Sequence, residues 1–163
     1  MSATLSRKRL TFSYDDGVTQ DVRLAELFHR YGMKATFNLN SSLLGRPGSL
    51  MREGRHVLHN KVSAADVRSI YAGHEVAAHT CTHPFLPSME DEEAIVREVE
   101  EDRVRLSELC GYEVVGFAYP GGGINFDRRV SELLRRRTGV RYARTTVTYN
   151  FLEILHFQVA SDN

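Results

Sequence analysis

Short β-prone runs alternate with amphipathic helical patterns along most of this chain, and that alternation restricts its fold more than any other feature. Residues 8–14 read as a first strand. Residues 21–31 follow as a helix with Leu24, Leu27, Phe28 and Tyr31 on one face, stopped by Gly32. Residues 35–39, 75–78 and 114–118 are three more strands. Ser63 with Asp66 three residues on marks a helix start, and that helix runs to about Tyr71. Residues 90–110 form a long charged helix with Ile95, Val99, Leu106 and Leu109 inward, closed by Gly111. A helix over 127–137 turns Val130, Leu133 and Leu134 inward, and residues 142–145 and 154–159 read as two last strands. Residues 40–60 are a long polar connection with Gly45, Pro47, Gly48 and Gly54, and long loops of this kind often border a site. This order calls for a mainly parallel sheet wrapped by helices. The 163 residues suffice for one core, and no repeat or linker divides them, so residues 1–163 are expected to form a single domain.

The chemistry-bearing runs fall at the C-terminal ends of these strands. Thr11-Phe12-Ser13-Tyr14-Asp15-Asp16-Gly17 ends the first, and His79-Thr80-Cys81-Thr82-His83 follows the third, with Pro84 behind it. Tyr119-Pro120-Gly121-Gly122-Gly123 follows the fourth. In a parallel sheet those ends share one rim, so motifs far apart in sequence converge. One carboxylate plus two imidazoles is a ligand set for a divalent metal with an open position, and a spare carboxylate beside it can act as a base. Taken alone, Asp15-Asp16-Gly17 also reads as an ordinary turn. An extended 79–83 segment would put Cys81 on the same face as His79 and His83, and Pro84 disfavours helical geometry at His83. His29, His56, His59 and His74 have no such partners in the sequence, and His74 belongs to the turn into the third strand.

Charge and cysteine content exclude other classes. Lysine plus arginine and aspartate plus glutamate each number 21, which gives no long-range pull toward nucleic acid or an anionic membrane. Arg135-Arg136-Arg137 lies in a helical pattern and reads as a solvated face. No apolar run reaches the length of a membrane span, and no secretory leader precedes the first strand, so the cytoplasm is the expected compartment. Cys81 and Cys110 are too few for a disulfide framework, and Cys110 reads as a small buried apolar residue.

With these runs in view, the chain resembles the polysaccharide deacetylases of carbohydrate esterase family four. The likeness spans about residues 10–146. It rests on Thr11 to Gly17 and His79 to His83, supported by Lys34-Ala35-Thr36-Phe37-Asn38-Leu39, Gly73-His74-Glu75-Val76 and Phe117 to Gly122. The resemblance implies an α/β fold, a distorted or incomplete (β/α) barrel with a mainly parallel sheet and a mononuclear metal site. It makes Asp15 the catalytic base and Asp16, His79 and His83 the metal ligands, with zinc expected first and Co2+, Ni2+ or Mn2+ also suited to the set. It makes Gly121 the backbone donor to the oxyanion, with Tyr119 and Pro120 shaping the groove, and Cys81 a wall residue.

Two departures from the family pattern stand out. The family's third motif carries an arginine that pairs with the base, where this chain has Ala118. Topology nominates Arg144, at the end of the next strand, for that role. The family's Leu-x-His motif, whose histidine protonates the leaving amine, has Ile154-Leu155-His156 as its nearest counterpart, which nominates His156 at a shorter spacing than usual. The barrel is then C-terminally abbreviated, and its open edge invites a second copy of the chain. The expected activity is metal-dependent removal of acetyl groups from N- or O-acetylated carbohydrate, by hydrolysis of carbon–nitrogen, non-peptide bonds in the N-acetyl case. The alternatives are hydrolysis of a small non-carbohydrate amide on the same scaffold, or a catalytically weak, metal-retaining carbohydrate-binding module.

Overall fold

The computed structural model of the protein describes residues 10–147. Within them the chain runs β1 (Ser13–Asp15), α1 (Asp21–Arg30), β2 (Thr36–Leu39), β3 (Ser49–Arg52), β4 (Arg55–Leu58), α2 (Val67–Ile70), β5 (Glu75–Ala78), α3 (Glu92–Cys110), β6 (Gly116–Ala118), α4 (Arg128–Arg137) and β7 (Tyr142–Arg144). Five strands form one sheet in the order β1-β2-β5-β6-β7, and every pairing is parallel. Each step along that order contains a helix, as parallel neighbours require. β1 and β7 do not pair with each other, so the described sheet is an open half-barrel, in line with the incomplete barrel expected.

The interior strands are short apolar runs because both of their faces are covered. Phe37, Leu39, Val76, Ala77 and Ala78 are all buried. From α3, Ile95, Val99 and Leu106 enter the core, and from α4, Val130 and Leu134. Burying a side chain of that size contributes about 1.5–3 kcal/mol, so these helix stripes fix how the helices sit on the sheet. Asp91 caps α3 by accepting the Ala94 N–H at 3.1 Å, and Asp127 caps α4 by accepting that of Val130 at 2.7 Å. Each such cap is worth about 1 kcal/mol. No helix among the described residues is long and apolar enough to cross a membrane.

The elements depart from the sequence-based expectation in instructive places. The first strand begins only at Ser13 among the described residues, and the helix expected over 63–71 divides into a 3-10 turn, Ala64–Asp66, and the short α2. The fourth strand begins at Gly116, because the Val114 N–H goes to Ser107 Oγ and its carbonyl to Arg103, taking both groups out of the ladder. The connection over 40–60 holds the antiparallel β3–β4 hairpin, turned by two successive left-handed residues, Glu53 (φ 49°) and Gly54 (φ 74°). Both hairpin strands are exposed throughout, so no apolar alternation announces them. The strand expected over 154–159 lies outside the described residues.

Register places the functional ends on one rim. Asp15 pairs with Asn38, Leu39 with Ala78, Ala78 with Phe117, and Ala118 with Arg144.

Candidate metal centre

Asp15 and Asp16 leave β1 on a backbone that bends at once. Asp16 takes a left-handed conformation (φ 81°), followed by Gly17 (φ 60°). Neighbouring side chains on a straight strand would diverge, and this bend lets both carboxylates serve one rim. Glycine suits this position, since its φ is left-handed and a Cβ would stand 2.9 Å from Leu39 Cδ2, closer than contact distance.

The two carboxylates keep different company. Asp15 Oδ1 accepts from Asn38 Nδ2 at 2.8 Å and from the Arg144 guanidinium. Asp15 Oδ2 has no hydrogen-bond partner among the described residues. Asp16 faces the imidazoles: its Oδ1 is 3.7 Å from His83 Nε2, and one ligand atom each from Asp16, His79 and His83 lie within 4.8 Å of one another. Burial pulls the Asp16 carboxyl upward, but the Lys61 ammonium and the surrounding imidazoles outweigh it and hold the group below its ordinary value.

His79 is fully buried at the end of β5. Its Nδ1 lies 2.8 Å from the Ala118 carbonyl, which fixes Nδ1 as the protonated nitrogen and leaves the Nε2 lone pair free. Burial also holds this imidazole below its ordinary pKa, against the pull of Asp15 and the Ala118 carbonyl, so the ring is kept in the neutral form that ligates metals. An oxygen donor and two imidazoles, one of them tautomer-locked, fit a divalent cation with open positions.

The histidine loop is not extended. Thr80 (φ 68°) and His83 (φ 64°) are both left-handed, a conformation that costs a non-glycine residue roughly 1–2 kcal/mol. Residues 79, 81 and 83 therefore do not share a strand face, and Pro84 is met by a left-handed His83 rather than an extended one. Cys81 is buried beside Ser41 and stands outside the donor group. Thr80 Oγ1 accepts the His83 N–H at 3.0 Å, and Asn40 Nδ2 donates to the carbonyls of His79 and Thr80 at 2.6 and 3.1 Å.

Of the third motif, Gly121 alone is exposed among Tyr119, Pro120 and Gly121. Tyr119 turns into the core, its ring packed against those of Phe117 and Phe126. Gly121 is left-handed (φ 87°), and a Cβ there would meet the Phe85 ring at 3.1 Å. A larger residue there would be both strained in its backbone and crowded against that ring. Arg144, from β7, reaches Asp15 across the rim. His156 lies outside the described residues.

Sequence reasoning missed several residues at this rim. His59 does have a partner, which corrects the expectation: its Nε2 is 3.2 Å from Asp16 Oδ2, and Lys61 Nζ is 3.3 Å from Asp16 Oδ1. They arrive because the chain after β4 runs antiparallel to residues 17–19, with Thr19 N–H donating to the Asn60 carbonyl and Val62 N–H to that of Gly17. His59 and Lys61, two apart on an extended segment, then point the same way. Asn38, buried on β2, was also missed. Its proximity to Asp15 follows only from the register.

Comparison with known proteins places this geometry. The sequence profile of the family described as polysaccharide deacetylase matches residues 2–143. A peptidoglycan-N-acetylglucosamine deacetylase, PgdA from Listeria monocytogenes serotype 1/2a, is 25% identical over 123 residues, 74% of this chain and 23% of that protein. Among solved structures, IcaB from Ammonifex degensii superposes with a TM-score of 0.69 at 18% identity, covering 87% of this chain and 63% of that one. A family 4 carbohydrate esterase from Streptomyces lividans, solved in complex with acetate, gives 0.59 at 17% identity, covering 82% and 60%. The structural likenesses carry the fold, and the chain spans 23% of the length of the curated relative.

Proposed function

The chain belongs to the polysaccharide deacetylase family, and on that premise we propose that it is a metal-dependent hydrolase that removes acetyl groups from N- or O-acetylated carbohydrate. The observation that carries this reading is the separation of two adjacent carboxylates: Asp16 joins two imidazoles, while Asp15 stands apart with Asn38 and Arg144. Asp16, His79 and His83 would hold the cation, with zinc the first choice and Co2+, Ni2+ or Mn2+ also suited to the donors. When bound, it supplies Lewis-acid polarisation of the acetyl carbonyl.

The chain's own residues do the rest. Asn38 and Arg144 both engage Asp15 Oδ1, which orients the carboxylate and leaves Oδ2 to take the proton of the attacking water. Arg144 thereby fills the role of the arginine that the third motif lacks. The Gly121 N–H stabilises the negative charge that develops on the carbonyl oxygen. His156, beyond the described residues, protonates the leaving amine.

Acetate release from acetylated chito-oligosaccharides and acetylated xylan, and ring opening of small cyclic amides, each measured with added zinc, test this reading. Release from a saccharide is expected, and Asp15→Asn should lower it about 10²- to 10⁴-fold. Turnover of a cyclic amide alone would move the assignment to a non-carbohydrate amide. Saccharide binding without acetate release under any metal would leave a binding module.

A further inference from the structure

One acidic face of α3 has no part in the chemistry above, yet α3 meets three of the five backbone donors of the histidine loop, those of His79, Cys81 and Thr82. Asp102 is fully buried and has no cationic partner within 4.0 Å among the described residues. Its Oδ1 accepts the Ser41 N–H at 2.6 Å, and its Oδ2 accepts the His79 N–H at 2.9 Å, a donor shared with the Leu39 carbonyl. One turn earlier, Glu98 accepts three more hydrogen bonds. Its backbone carbonyl takes the Cys81 N–H at 2.9 Å, Oε2 takes the Thr82 N–H at 2.9 Å, and Oε1 takes the Thr82 hydroxyl at 2.8 Å.

A buried carboxylate without a cation is costly, and its retention inside an otherwise apolar helix stripe of Ile95, Val99 and Leu106 needs a reason. The loop it meets contains two strained left-handed residues, Thr80 and His83, that would relax if unheld. The cradle reaches the backbone on both sides of Thr80, and Thr80 in turn fixes the His83 amide.

We propose that Glu98 and Asp102 are positioning residues that set the separation of the His79 and His83 imidazoles, and with it the affinity of the centre for its cation. The proposal rests on the reading of Asp16, His79 and His83 as the cation's ligands. Neither acidic side chain belongs to the donor group itself.

Zinc titration calorimetry on the full chain tests it, with the melting temperature of each metal-free protein as a companion measurement. Glu98→Ala should weaken zinc binding about tenfold, within the range typical of residues that support metal ligands, with little change in melting temperature. Glu98→Gln should recover most of that affinity, because an amide can still accept from the Thr82 N–H and donate to the Thr82 hydroxyl. Asp102→Asn should weaken binding more, since its amide group faces a backbone donor. If that variant does not fold, the Glu98 pair decides. An Ala variant within twofold of the natural chain overturns the proposal. So does a Gln variant as weak as Ala, which would make the effect one of charge and not of position. If the natural chain takes up no zinc, the reading of the ligands themselves falls, an outcome distinct from a failure of the variants.

Discussion

The two halves of the rim are held in different ways. The histidine loop is fixed through its backbone, with N–H groups of His79, Cys81 and Thr82 on α3 and the carbonyls of His79 and Thr80 on Asn40. The aspartate carboxylates are held by side chains, Asp15 by Asn38 and the Arg144 guanidinium, and Asp16 by the Lys61 ammonium with His59 beside it. A loop held at several backbone groups keeps its shape when a side chain across the rim is changed. A pair held by side chains adjusts when one of them is changed. The difference teaches that ligand spacing and base orientation can be perturbed separately, and the aspartate half is the place to do so.

Arg144→Ala strikes that half hardest. It removes the charged partner of Asp15 while leaving Asp16 and both imidazoles in place. A kcat lower by roughly 10- to 100-fold is expected, with zinc affinity within twofold of the natural chain and partial recovery in Arg144→Lys. Loss of zinc along with turnover would erase the distinction between the halves. Lys61→Met is the gentler probe. Its ammonium, 3.3 Å from Asp16 Oδ1, repels an incoming cation, so removing it should tighten zinc binding by about 3- to 10-fold. Weaker binding would instead make Lys61 a support for the Asp16 carboxylate.

The same contrast explains what could be read from the sequence. The parallel sheet was legible because its strands are apolar runs such as Phe37 to Leu39 and Val76 to Ala78, separated by helices with clear inner stripes. The proposed ligands were legible because they sit in compact motifs at strand ends. Residues that reach the rim by long-range folding were not. His59 and Lys61 follow a hairpin whose strands bury neither face, so no periodicity marks it. Asn38 meets Asp15 only once the β1–β2 register is known. Asp102 alone left a trace, as an acid interrupting the inner stripe of Ile95, Val99 and Leu106 in a helix already rich in charge. Arg144 was nominated from strand order, and the structure sets it against Asp15.

The central claim is that one carboxylate and two imidazoles, Asp16, His79 and His83, hold the cation while Asp15 does not. X-ray absorption at the zinc edge of the zinc-loaded chain tests it most directly. The predicted spectrum has a nitrogen and oxygen shell with two imidazoles, and it is unchanged in Asp15→Asn. A sulfur shell at about 2.3 Å would bring in Cys81, and a third imidazole would bring in His59; either result contradicts the account.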